Sequence, residues 1–220
     1  MPPEIINCEQ GSEEWFAARM GIPTASMFAT IMAKGRDGGT SRTRKDYMRK
    51  LAGEIVWGIP MENWTGPHHE RGKIMEEEAR NYYAAFKAEV DLAQVGFIKN
   101  HDTGCSPDSL VGADGMLEIK TAFPHLIIEM IERDGFPPEH KAQCQGGLWV
   151  AERDWIEIVV YWPGATPFVK RAYRDEDYIG DLQNAVEQFN TELAVLVARV
   201  RRYGQPSTLT ADLRASVEAA

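Results

Sequence analysis

Cys105-Ser-Pro-Asp108-Ser-Leu-Val-Gly112-Ala-Asp114-Gly115-Met-Leu-Glu118-Ile-Lys120 decides the architecture, because it reads as two β-strands joined by a turn with charged groups at set positions. Side chains alternate along a strand, so Glu118 and Lys120 share one face, roughly 7 Å apart, while Leu117 and Ile119 enter the opposite layer. Gly112, Asp114 and Gly115 carry the turn chemistry that reverses one strand into the next. Asp108, ahead of that turn, folds back beside Glu118.

Two carboxylates with a backbone carbonyl between them form a hard, all-oxygen donor set. It suits Mg²⁺, with Mn²⁺ as a substitute and one or two ions per site. Such an ion polarises a scissile phosphate and sharpens a bound water as nucleophile. Lys120, a compact cation whose pKa falls readily on desolvation, would orient or deprotonate that water or stabilise charge on the phosphorane. The expectation is metal-assisted phosphodiester hydrolysis. Taken alone, Glu118 and Lys120 are equally a solvated cross-strand pair worth roughly a few tenths of a kcal/mol.

Five segments in order narrow the reading: Trp15-Phe-Ala-Ala-Arg19-Met-Gly-Ile-Pro-Thr-Ala-Ser26, Arg71-Gly-Lys-Ile-Met-Glu76-Glu-Glu-Ala-Arg80, Cys105-Ser-Pro-Asp108, Leu117-Glu118-Ile-Lys120 and Ala142-Gln143-Cys-Gln145-Gly-Gly-Leu-Trp149. In this order and spacing, from about Trp15 to Trp162, the chain resembles the lambda exonuclease and YqaJ-type viral recombinase family of PD-(D/E)XK nucleases. That resemblance implies a restriction-endonuclease-like core and a Mg²⁺-dependent exonuclease. Such an enzyme processively digests one strand of duplex DNA from a 5′-phosphorylated end, releases mononucleotides and leaves a 3′ single strand for an annealing protein. It also implies a ring-shaped homotrimer threaded by DNA, in a bacterial or phage-infected cytoplasm.

Carried over by position, the metal ligands are Asp108, Glu118 and the Ile119 carbonyl. Lys120 stands beside the attacking water, Gln143 assists it, and Glu76 completes the site from a preceding helix. Arg19 and Ser26 fall where the family holds the terminal 5′ phosphate. Periodicity by itself leaves two of these positions open. Glu76 and Glu78 both border the stripe Met75, Ala79, Tyr82 and Phe86, and Gln145 lies nearer than Gln143 to the core side marked by Leu148 and Trp149.

At 220 residues the chain is long enough for one well-buried core over residues 1–203, with 204–220 as a mobile or docking tail. It has no apolar run of membrane-spanning length and no signal-like start, so a soluble, intracellular protein without a membrane partner is expected. Cys8, Cys105 and Cys144 fit neither a disulfide framework nor a zinc or iron–sulfur site. His68 and His69 read as solvated residues at the start of a helix.

The net charge of −9 opposes phosphate binding over the whole surface. Residues 34–50, however, hold Lys34, Arg36, Arg42, Arg44, Lys45, Arg49 and Lys50 against Asp37 and Asp46, seven against two for a net of +5. A flexible glycine loop leading into a basic helix is expected to contact the DNA backbone. An acidic exterior around a basic channel reconciles the two charges.

Punctuation supplies the outline. Ser12 caps a helix ending at Gly21, a second lies between Thr24 and Gly35, a third spans about 43–57 and a fourth about 68–87. Val90–Lys99 reads as the first strand, followed by the hairpin above. Pro137-Pro138-Glu139 opens the helix that carries Gln143 and Gln145. Trp155–Trp162 and Thr166–Tyr173 form a second hairpin, and a helix spans about 175–203. Helices around a sheet of about five strands give an α/β or α+β fold. Two alternatives stand beside the exonuclease: an endonuclease of the same fold class with another DNA substrate, and a non-catalytic scaffold that binds DNA ends.

Overall fold

The computed structural model describes residues 2–61, 67–87 and 91–203; the side chains of 67–70, including His68 and His69, and the tail 204–220 lie outside that description. In chain order β1 (Glu4–Ile6) precedes α1 (Glu13–Arg19), α2 (Phe28–Met32), α3 (Arg42–Trp57) and α4 (Pro67–Phe86). Then come β2 (Leu92–Ala93), β3 (Phe97–Asn100), β4 (Thr103–Cys105), β5 (Ser109–Val111) and β6 (Gly115–Thr121). Next are α5 (Pro124–Arg133), α6 (Lys141–Ala151), β7 (Trp155–Tyr161), β8 (Phe168–Tyr173) and α7 (Glu176–Arg202). The caps expected from sequence are in place: Ser12 Oγ accepts from the Trp15 N–H at 3.2 Å and Asp175 Oδ1 from the Tyr178 N–H at 3.1 Å.

The main sheet has the order β2-β5-β6-β7-β8, antiparallel except for the parallel β6–β7 pair. A parallel neighbour requires a crossover, and α5 and α6 provide it. Period-two alternation then divides the core. Leu117 and Ile119 meet Ala79 and Tyr83 of α4 on one face, while Leu110, Met116 and Ile156 meet α6 and α7 on the other. Ile127 of α5 covers Ile158, Val160 and Phe168. This is the expected mixed α+β architecture with a five-stranded sheet. Among the described residues no helix is long and apolar enough to cross a membrane.

Several local readings are corrected. Of the run 90–99, residue 90 lies outside the described residues and the rest is not one strand: β2 pairs with β5, whereas β3 joins a separate sheet of order β1-β3-β4. The chain breaks at Gly96, where a Cβ would lie 2.4 Å from the Cys8 carbonyl oxygen. Gly115 belongs to β6 rather than to the turn, and its missing side chain makes room for the Trp155 indole, 2.2 Å from an ideal Cβ. The stripe of α4 runs through Met75, Ala79 and Tyr83, the i, i+4, i+8 ridge, with Phe86 71% exposed. Tyr83 turns inward because its hydroxyl donates to Glu157 on β7 at 2.5 Å. The helix α5 has no counterpart in the sequence outline, although Pro124 in its first turn is a start signal.

The basic segment is also revised. Residues 34–40 form a closed turn rather than an open loop, with Gly35 N–H donating to Gly39 O at 2.7 Å and Gly39 N–H to Asp37 Oδ1 at 3.0 Å. Lys34, Arg36, Arg42 and Lys45 are exposed, although Arg42 pairs with Asp46. Arg44, expected on DNA, is buried at 7% exposure. Its guanidinium lies 5.1 Å from the Phe189 ring centroid and donates to Glu192 Oε2 at 2.6 Å, tying α3 to α7. The Arg44 hydrogen bond holds the Glu192 carboxyl below its usual range. The pair's contribution is therefore complete at neutral pH and is lost on acidification through that depressed value. Arg44→Ala is expected to cost about 1–2 kcal/mol, a Tm drop of about 3–6 °C, without changing the salt dependence of DNA binding. A shallower salt slope in thermal-shift-matched binding assays would return Arg44 to the DNA surface.

Candidate active site

The β5–β6 hairpin pairs Ser109 with Leu117 and Val111 with Gly115, leaving Gly112-Ala113-Asp114 as its loop. Gly112 takes a φ of 57°, the left-handed conformation the loop requires. Asp108 continues the ladder by donating its N–H to Leu117 O at 3.1 Å, and its Oδ2 accepts from the Ile119 N–H at 2.5 Å. The carboxylate is thereby clamped beside Glu118, as the hairpin reading expects. β2 covers only Leu110 and Val111, so the Asp108 end of β5 is left as an open sheet edge facing a cleft.

Glu118 is 5% exposed, and its Oε1 accepts from Lys120 Nζ at 2.6 Å and from Gln143 Nε2 at 2.5 Å. Lys120 and Gln143 therefore hold one carboxylate oxygen in place. Gln145 does something else: its amide bridges Tyr173 O at 2.8 Å and the Asp175 N–H at 2.8 Å, joining β8 to the start of α7. Of the two glutamines, Gln143 is the one in the site. Of the two α4 glutamates that periodicity left open, Glu76 lines one cavity with Asp108 and Glu118, whereas Glu78 accepts from the Tyr161 hydroxyl at the surface.

Electrostatics follow from this crowding. Burial, then Glu118 and then Glu76 push the Asp108 carboxyl well above the usual carboxylate range. For Lys120, burial pulls the ammonium down, but the ion pair with Glu118 outweighs it and the net shift is upward. In this arrangement the ammonium form of Lys120 is favoured, as the donor to Glu118. Burial foremost, helped by Glu118, raises the Cys105 and Cys144 thiols, so neither is a thiolate ligand or nucleophile at neutral pH.

Among the described residues no three His, Cys, Asp or Glu side chains form a ready ligand cluster. The donors at hand are the Asp108 and Glu118 carboxylates and the Ile119 carbonyl. That set fits a hard divalent cation that keeps several waters, and the mutual repulsion raising Asp108 is what such a cation would relieve.

A cavity of about 240 Å³ runs from these groups to Arg19, Thr24 and Ser26, so the two clusters named from sequence open into one space. The Arg19 guanidinium lies 3.9 Å from the centroid of the Trp15 ring. Trp15 is itself a residue that sequence reasoning quoted without assigning it a role. Its Nε1 donates to Ser106 Oγ at 2.9 Å and to Gly96 O at 3.0 Å, so one buried indole supports both Arg19 and the approach to Asp108. Gln10, unremarked in the sequence, donates to Pro107 O at 3.0 Å and Val95 O at 3.2 Å. Only the fold brings residues 10, 95 and 107 together.

A profile described as YqaJ-like viral recombinase domain matches residues 14–154. None of the curated proteins matches the chain. Among solved structures, an alkaline exonuclease (LHK-Exo) from Laribacter hongkongensis is 31% identical with a TM-score of 0.76, covering 87% of this chain and 97% of that one. The complex of LHK-Exo with dAMP gives 30% identity and a TM-score of 0.77 over the same shares. A phage-related exonuclease from Haemophilus somnus 129PT shares the fold at 14% identity and a TM-score of 0.61, covering 81% of this chain and 96% of that one.

Proposed function

Because the chain belongs to the YqaJ-like viral recombinase family, we propose that it is a Mg²⁺-dependent exonuclease that digests one strand of duplex DNA 5′→3′ from phosphorylated ends and releases mononucleotides. The observation that carries this reading is one cavity with Asp108, Glu118 and Lys120 at one end and Arg19 and Ser26 at the other. A phosphate held by the planar fork of Arg19 and the hydroxyls of Ser26 and Thr24 fixes the distance from the strand end to the bond that is cut. The complex of a 30% identical exonuclease with dAMP supports a mononucleotide product.

Asp108, Glu118 and the Ile119 carbonyl would hold a divalent cation, which would supply Lewis-acid polarisation of the phosphate and a lowered pKa for water. The protein's own groups do the rest. Lys120 donates to the charge that builds on the phosphorane, a preorganised interaction strongest in the transition state. Gln143 has two amide hydrogens and an acceptor oxygen, so it can brace Glu118 and orient the attacking water together. Glu76 adds a third carboxylate at the cavity wall. Lys34, Arg36 and Lys45, exposed on and beside the closed turn, offer phosphate contacts to the duplex. Processive digestion as a ring-shaped trimer, with the 3′ strand passed to an annealing protein, completes the proposal on the strength of the family.

The test compares a 5′-phosphorylated linear duplex, a 5′-hydroxyl duplex and a closed circle. Fast digestion of the first, slow digestion of the second and an intact circle are expected. A nicked or linearised circle would make the protein an endonuclease, and tight end binding without cleavage would make it a scaffold. In the same assay Arg19→Ala should lower the preference for the phosphorylated end about 10- to 100-fold, the worth of one or two charge-assisted hydrogen bonds. An unchanged preference would place the terminal phosphate elsewhere.

A further inference from the structure

Arg80 belongs to the helical segment that carries Glu76, but nothing in the reaction as described gives it a task. It lies one turn beyond Glu76 on α4, its side chain is 14% exposed, and it donates through Nη2 to Glu76 Oε1. An exposed i, i+4 pair on a helix would need no more than this. Arg80 makes two further contacts, on two other elements. Its Nε donates to Ser109 Oγ at 3.2 Å, and Ser109, fully buried on β5, donates in turn to the Asp108 carbonyl at 2.6 Å. The Gln94 amide, with its oxygen turned to the guanidinium, accepts from Arg80 Nη1 at 2.7 Å. The fork thus spans α4, the break between β2 and β3, and the strand that starts at Asp108.

We propose that Arg80 is a positioning residue that acts through Glu76. The contacts with Ser109 and Gln94 fix the guanidinium, and the fixed guanidinium aims the Glu76 carboxylate into the cavity beside Asp108 and Lys120 instead of letting it swing to solvent. Two physical points favour this over a merely stabilising pair. Glu76 lines one cavity with the Asp108 and Glu118 carboxylates, so without a cation beside it like charge would drive the carboxylate away. A planar guanidinium also has donors in fixed directions for three acceptors at once, which an ammonium cannot reproduce. The inference rests on the nuclease reading above.

The experiment is a double-mutant cycle with Arg80→Gln, Glu76→Gln and the double variant. It measures kcat and KM on a 5′-phosphorylated duplex at saturating Mg²⁺, with Tm recorded for each. Arg80→Gln alone should lower kcat tenfold or more with KM within twofold. In the Glu76→Gln background the same change should lower kcat less than twofold, because the group it positions is already disabled. Arg80→Lys, which keeps the charge and protects against loss of fold, should recover less than a fifth of wild-type kcat. Equal fold losses in both backgrounds, or full recovery by lysine, would overturn the positioning role. An inactive wild type would instead sink the nuclease reading, and this inference with it.

Discussion

Asp108→Asn is expected to abolish cleavage and yet leave the metal-free protein more stable than the wild type. The carboxyl shares its cavity with Glu118 and Glu76 and is raised by loss of hydration first and by those charges next. A raised carboxyl binds its proton more tightly in the folded state, so stability falls as pH climbs from the unfolded value of about 3.9 through the folded one. At neutral pH that loss is in force. Asparagine removes it while its amide oxygen still accepts from the Ile119 N–H, the contact that Asp108 Oδ2 makes at 2.5 Å. Each kcal/mol regained shifts Tm by about 2–4 °C in a domain of this size.

Added Mg²⁺ should reverse the order. A cation that binds only the folded state raises Tm by mass action, and the variant has lost a ligand. Thermal unfolding with and without Mg²⁺, beside a nuclease assay, reads both effects. Turnover within tenfold of wild type would remove Asp108 from the site. Glu118→Ala should be equally inactive but less stable by about 2–3 kcal/mol, because Lys120 and Gln143 both lose their acceptor.

Lys120→Ala carries the second large effect. Removing one preorganised donor to developing charge costs about 10²–10³-fold in kcat, or about 3–4 kcal/mol of transition-state stabilisation. KM for duplex ends should change little, since the proposal assigns substrate binding to Arg19 and the exposed lysines of the 34–45 segment. The ion pair with Glu118 raises the Lys120 ammonium against the pull of burial, which favours the cationic form for the proposed donor role. Single-turnover rates on the phosphorylated duplex are the relevant measurement. A loss below tenfold would leave Lys120 as no more than the partner of Glu118.

The site was legible in the sequence where one element contains the whole relation. Glu118 and Lys120 lie two residues apart on a strand, and period two alone puts them on one face, where they meet at 2.6 Å. Asp108 needed one hairpin, which its glycines announce. Gln143 and Gln145 lie two apart on a helix, and local pattern could not rank them. Their difference lies in distant partners, Glu118 on β6 for one and Tyr173 and Asp175 for the other.

Arg44 shows the limit most clearly. It sits among basic neighbours and looks like one of them, but its partner Glu192 is 148 residues away and its platform Phe189 lies on the same distant helix. The split of 92–99 between two sheets has the same origin, because the close approach that needs Gly96 is made by Cys8, far away in sequence. Gln10 and Trp15 hold the Ser106-Pro107 approach to Asp108 through contacts that no spacing rule connects.

Asp108 and Glu118 are proposed to hold a divalent cation that activates cleavage at the strand end. The most direct test is release of label from a duplex carrying a 5′-phosphorylated, terminally labelled strand, with wild type and Asp108→Asn side by side in Mg²⁺ and in EDTA. Labelled mononucleotide is expected from the wild type in Mg²⁺ alone. Release in EDTA, release by Asp108→Asn, or none from the wild type in Mg²⁺ would contradict it.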